Sequence, residues 1–120
     1  MIAALAVLLA LTTAPSREAR FEVRVHRADP NATIVYSGGV RTRAHDRVVV
    51  YLARACEPTV ARARKHVVAA YESNAPGRRW SFNGMLARSI IRPRRGRVCL
   101  LVAAPDGRRR IQRSHAYRLR

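Results

Sequence analysis

Arg47-Val48-Val49-Val50-Tyr51-Leu52-Ala53-Arg54-Ala55-Cys56 is the stretch on which the fold of this chain turns. Its middle is a nearly continuous apolar, β-branched run bounded by charged residues, which suits a strand at the centre of a sheet. Arg97-Val98-Cys99-Leu100-Leu101-Val102-Ala103 has the same character and is its expected neighbour. Each stretch carries one of the two cysteines. There is no CxxC and no metal spacing, so the pair reads as one disulfide, Cys56 to Cys99, of the kind that forms in an oxidising compartment. In the chain-entropy view, closing a loop of this size is worth up to about 4 kcal/mol.

Outward from these two strands, the alternation of Phe21, Val23 and Val25 with Glu22, Arg24 and His26 marks a half-buried first strand. Asp29-Pro30-Asn31 should turn the chain into a short strand from Thr33 to Tyr36, ended by Ser37-Gly38-Gly39. Trp80 to Ile91 reads as a further strand with a break expected at Asn83-Gly84, and Trp80 and Phe82, at strand period, read as core. The turn Ala104-Pro105-Asp106-Gly107 leads to a last strand from about Arg110 to Leu119.

Between these strands the period changes. Pro58 suits a first helical turn, and Val60, Ala63, Val67 and Ala70 or Tyr71 recur at helical spacing, while Arg62, Lys65, His66 and Glu72 point elsewhere. The spacing predicts a helix over about 58–72, ended by Asn74-Ala75-Pro76-Gly77. It lacks the Trp, Phe or Leu anchors of a membrane-surface helix, so core packing is its expected role.

Roughly six or seven short strands, Gly/Pro turns, one inserted helix and a bridge between central strands describe a mainly β protein, an immunoglobulin-like β-sandwich. The segment Val48 to Thr59 resembles the first cysteine region of small exported immunoglobulin-like proteins of high-GC bacteria. Arg97-Val98-Cys99-Leu100-Leu101 and the closing Ala116-Tyr117-Arg118-Leu119 are similar to the second cysteine strand and last strand of that group. The resemblance covers about residues 48–119 and is broken by the long basic insert Val60 to Tyr71. It implies a fold and a bridge, and no activity or site residues.

The apolar run Ile2 to Leu11 has the length of a secretory signal and is far short of the ~20 residues of a membrane span. No Lys or Arg precedes it, which leaves a buried N-terminal element of a cytosolic protein as the competing reading. The small-x-small pattern at Ala14-Pro15-Ser16 places a mature start near Arg17. The expected organisation is a signal peptide over residues 1–16 and one domain over 17–120, too short for two cores.

Net charge is +17, from 24 Lys+Arg against 7 Asp+Glu, so the surface should repel its own kind and attract polyanions. Every basic residue except Lys65 is arginine, a skew that GC-rich coding also produces. If the two cysteines mark one end of the sandwich, antiparallel geometry sorts the arginines into two poles. Arg92, Arg94, Arg95 and Arg97 fall at one end with Arg118 and Arg120. Arg78 and Arg79 fall at the other with Arg108, Arg109 and Arg110, joined by Arg43 and Arg47. A strand's length, roughly 25 Å, separates them. Of these, Arg78, Arg79, Arg92, Arg94, Arg95, Arg97, Arg108, Arg109 and Arg110 are the candidate polyanion-binding residues.

Nothing in the sequence assembles an active site. Asp29, Asp46 and Asp106 sit where turns are expected. His26, His45, His66 and His115 lack metal-ligand spacing. Ser37-Gly38-Gly39 lacks a nucleophile elbow, no phosphate-cradling glycine loop occurs, and the sequon Asn31-Ala32-Thr33 needs no function. The expectation is a secreted or cell-surface, non-enzymatic binding or structural module without metal, cofactor, specific small molecule or integral membrane segment. Its partner would be an anionic cell-surface polymer. The alternative is a basic nucleic-acid-binding protein, against which stand the leader, the bridge and the lack of interleaved exposed aromatics. A hydrolase ranks third.

Overall fold

In the computed structural model, which describes residues 19–28, 31–87, 91 and 94–119, the elements follow the order β1 (Ala19–Ala28), β2 (Asn31–Arg41), β3 (Asp46–Ala53), α1 (Val60–Ala63), β4 (Val67–Ala75), β5 (Arg79–Ala87), β6 (Arg95–Ala103) and β7 (Arg109–Arg118). The strands form two antiparallel sheets, β1-β2-β5 and β4-β3-β6-β7. β3 and β6 are the neighbours at the centre of the larger sheet, paired from Arg47↔Ala103 to Ala53↔Arg97. The protein is thus a mainly β sandwich. In the constant-type immunoglobulin order the fourth strand lies beside the fifth. Here β4 instead extends the β3 edge, and the other strands keep that order.

Strand alternation explains the core. Phe21, Ile34, Tyr36, Val40 and Leu86 from one sheet meet Val48, Val50, Leu52, Val98, Leu100, Val102 and Ile111 from the other. Trp80 and Phe82 are half-buried against this cluster, their rings 6.0 Å apart. The opposite faces of β3 and β6 are also buried: Val49, Tyr51, Ala53, Cys99, Leu101 and Ala103 form a second cluster under Val60, Ala63 and Cys56. This is why both strands read as unbroken apolar runs, since a strand covered on both faces has no polar side to alternate with. The segment 54–66 is the cover, a flap laid over the outside of the sandwich.

The disulfide joins Cys56, in the loop after β3, to Cys99 in mid-β6, with Cα atoms 5.8 Å apart. It does not cross between the sheets. Cys99 already faces Tyr51 in the ladder, so the bridge pins the flap to the sheet beneath it.

Three expectations need correction. The helix over 58–72 is only α1: Thr59 caps it by accepting from Arg62 N at 3.3 Å, and it tightens at its end through Lys65 N→Arg62 O and His66 N→Ala63 O, both 3.1 Å. From Val67 the chain is strand, because β-branched Val67 and Val68 supply backbone groups to the otherwise open edge of β3. Second, Ser37-Gly38-Gly39 does not end β2, which runs on to Arg41. Third, Asn83-Gly84 does not break β5. At Gly84 the missing side chain's space is filled by an aromatic ring on the facing strand, and at Gly38 by such a ring together with the Arg20 carbonyl of β1. Gly38 lies opposite Phe82, and Tyr36 lies opposite Gly84. A Cβ on Gly38 would stand 2.8 Å from the Phe82 ring and one on Gly84 2.5 Å from that of Tyr36. The leader 1–16, the turn at Asp29-Pro30, Arg92 and Arg120 lie outside the described residues. Among the described residues no helix is long and apolar enough to cross a membrane.

Candidate anion-binding surface

The register of β6 and β7 builds one arginine cluster directly. Arg95 pairs with Arg118, Gly96 with Tyr117 and Arg97 with Ala116. Leu119 N donates to Arg94 O at 2.6 Å, so the strands stay zipped to their ends. Val98, Leu100 and Val102 point into the core, so Arg95 and Arg97, at odd positions of β6, fall on the outer face with Arg118 and Ala116 opposite. Ala53 is the β3 partner of Arg97, which brings Arg54, the next residue, to the same place. Arg54, Arg95, Gly96, Arg97, Ala116, Tyr117 and Arg118 line a recess of about 430 Å³. No carboxylate is among its lining residues.

Two contacts fix this recess. Arg97 donates from Nε and Nη2 to Ser114 Oγ, at 3.0 and 2.8 Å, which orients its guanidinium. Tyr117 lies across the strand from Gly96, where a Cβ would come within 3.1 Å of the phenol oxygen and of Ala53 O. Glycine there, on the inner face of β6, leaves room for the ring to sink into the core beneath the recess, 4 % exposed.

The far end is arranged differently. Arg41 pairs with Arg79, Thr42 N donates to Arg78 O at 3.1 Å, and Ala103 pairs with both Arg47 and Arg109. Arg78 and Arg79 therefore share an end with Arg108 and Arg109, as the sequence predicts. They stand on opposite flanks of it, because β5 packs beside β4 and β7 beside β1. Several of these arginines are internally engaged. Arg110 Nη1 donates to Asp46 Oδ2 at 3.2 Å, with only 15 % of its side chain exposed and 1 % of that of Asp46. Arg43 N donates to the same oxygen at 2.8 Å, closing the turn in which His45 takes φ 67°. Arg109 Nη1 donates to Gln112 Oε1 at 2.8 Å. Arg110 is thus a structural partner of a buried carboxylate, and removing either member of such a pair leaves a costly unpaired charge.

Beside the arginine recess, under the flap, Leu52, Ala53, Arg54, Ala55, Glu57, Lys65, His66 and Val67 line a second cavity of about 600 Å³. Its polar groups hold the flap down. Glu57 N donates to the Tyr51 hydroxyl at 2.6 Å, Gln112 Nε2 donates to Glu57 O at 3.1 Å, and His66 Nε2 lies 3.5 Å from Glu57 Oε1. The His66 ring stacks on Tyr51 at 5.9 Å. Burial pushes the Tyr51 hydroxyl above the ordinary tyrosine value, and the Glu57 carboxylate adds to the rise. Among the described residues no group of His, Cys, Asp and Glu could hold a metal ion.

The structure brings Arg94, Arg95 and Arg97 together with Arg118, and it adds Arg54, which sequence reasoning passed over. The available signal was register: Arg54 follows the strand residue that pairs with Arg97. Fold and site together define a disulfide-stapled antiparallel β-sandwich with an arginine-lined recess on its outer face. The chain matches no family model, no curated protein and no solved structure.

Proposed function

We propose that this chain is a secreted or cell-surface, non-enzymatic binding module that associates with anionic polymer at the cell surface. The observation that carries the reading is the recess walled by Arg54, Arg95, Arg97 and Arg118 without a carboxylate in its lining. The apolar leader and the Cys56–Cys99 bridge support export.

The test is a salt series against a heparin-like polymer, a teichoic-acid-like polymer and DNA. Binding to the surface polymers should be strong at low salt and fall steeply towards physiological salt, as counterion release requires. Salt-resistant preference for one oligonucleotide sequence would replace this reading with nucleic-acid recognition. Recovery of the protein outside the cell with two alkylatable thiols would remove its support from the bridge.

A further inference from the structure

We infer that the recess between β6, β7 and Arg54 is a discrete site for the phosphates of a flexible phosphodiester chain of the glycerol-phosphate kind. The inference rests on the proposed polyanion reading and assigns it a place and a ligand chemistry. Arg95 and Arg118 are direct cross-strand partners on one face, an arrangement that destabilises a sheet unless an anion lies between them. Arg97 sits two residues along from Arg95, about 6.7 Å away on the same face. Successive phosphates of a flexible chain, about six bonds apart, can span that step. At the far end Arg110 is answered by an acid of the same chain, Asp46. Here the lining residues hold no acid to answer the arginines.

Phosphate fits this geometry better than carboxylate. A guanidinium fork accepts carboxylate and phosphate alike, and spacing separates them: a phosphodiester chain carries a charge in its own backbone at each short step, whereas carboxylates hang from longer, separately mobile side chains. The two free oxygens of a phosphodiester diverge tetrahedrally, so one group can engage Arg95 and Arg118 from both strands together. Three of the arginines stand on paired strands, and Arg97 is already oriented by Ser114, so little ordering remains for the ligand to impose. Tyr117 is buried and offers no stacking platform, so the recess reads phosphates and not bases. A recess of about 430 Å³ has room for a short stretch of a slender phosphodiester chain.

The experiment compares two doubly substituted proteins of equal net charge, R95Q/R118Q in the recess and R78Q/R108Q at the far end. Binding to a synthetic glycerol-phosphate oligomer too short to reach from the recess to the far end is measured at about 0.15 M salt. Loss of two charge-assisted contacts should weaken R95Q/R118Q about tenfold or more, while R78Q/R108Q changes less than about twofold. S114A, which leaves the charge unchanged, should weaken binding a few-fold by freeing Arg97. R54Q, outside the strands, repeats the loss without touching a ladder. Equal losses in the two double variants would overturn the discrete site in favour of a diffuse field. Equal affinity for polyglutamate of matched charge would overturn the phosphate assignment, and tighter retention of single-stranded DNA would overturn the polymer assignment. If the unsubstituted protein binds none of the polyanions, the proposed function itself fails.

Discussion

Three cross-strand pairs in this molecule set a glycine against an aromatic ring: Gly38 with Phe82, Gly84 with Tyr36, and Gly96 with Tyr117. In a linear sequence a glycine next to serine or asparagine is a turn signal, which is how Ser37-Gly38-Gly39 and Asn83-Gly84 read. The ring that occupies the missing side chain's space belongs to another strand, so only the register reveals it. Gly84→Ala should therefore cost about 1–3 kcal/mol in chemical denaturation, the range for overfilling a packed site. Gly39 has no neighbour closer than 3.8 Å to its added Cβ, so Gly39→Ala should change stability little. Repeating Gly84→Ala in a Tyr36→Leu background, where the ring is gone, should cost much less. Equal costs in the two backgrounds would mean that backbone conformation and not the ring demands glycine there.

At the scale of elements, the central strands were legible and the flap was not. Val48 to Leu52 and Val98 to Ala103 carry their position in their composition, because burial on both faces leaves no room for polar alternation. Residues 58–72 misled because Val60, Ala63, Val67 and Ala70 satisfy a helical period by themselves. The β3 edge, which draws Val67–Ala75 into a strand, is set by the tertiary fold. The flap's attachment gives a measurable signature. Replacing both cysteines by alanine should lower stability by up to about 4 kcal/mol, while the sheet ladders, which do not depend on the bridge, persist. Tyr51 reports the flap directly. Its hydroxyl is raised above the ordinary tyrosine range chiefly by burial, and that of Tyr36, in the inner core, is raised by burial alone. Each is held neutral by the fold, so its contribution is fully present below about pH 10 and is lost as pH rises through the folded value. In the cysteine-free protein the phenolate absorbance of one tyrosine should move down towards the ordinary range while Tyr36 keeps its raised value. Unchanged titration would show that Glu57, Gln112 and His66 hold the flap without the bridge.

For the whole molecule, antiparallel order alone sorted the arginines correctly to the two ends, with Arg95 against Arg118 and Arg78 and Arg79 at the end that holds Arg108 and Arg109. Sequence could not show which arginines are already engaged, because the Arg110–Asp46 contact joins residues 64 apart. Nor could it show that the far-end arginines divide between two flanks. The consequence is a molecule with one concentrated cationic recess and, a strand's length of roughly 25 Å away, a dispersed cationic rim. Such a two-ended body should bridge long polyanions, gripping one chain at the recess and touching a second, weakly and with strong salt dependence, at the rim. Titrating the protein into a long glycerol-phosphate polymer at low salt should give turbidity near charge balance that clears as salt rises. R78Q/R108Q should keep its affinity for a short oligomer yet produce much less turbidity, because only the second contact is weakened. R78Q/R108Q should unfold at nearly the same denaturant concentration as the parent, since exposed charges contribute little to stability, and R95Q/R118Q, relieved of its cross-strand repulsion, at the same or a slightly higher one. Undiminished turbidity in R78Q/R108Q would place the second contact elsewhere, and loss of folding would show that Arg78 or Arg108 is a structural partner as Arg110 is.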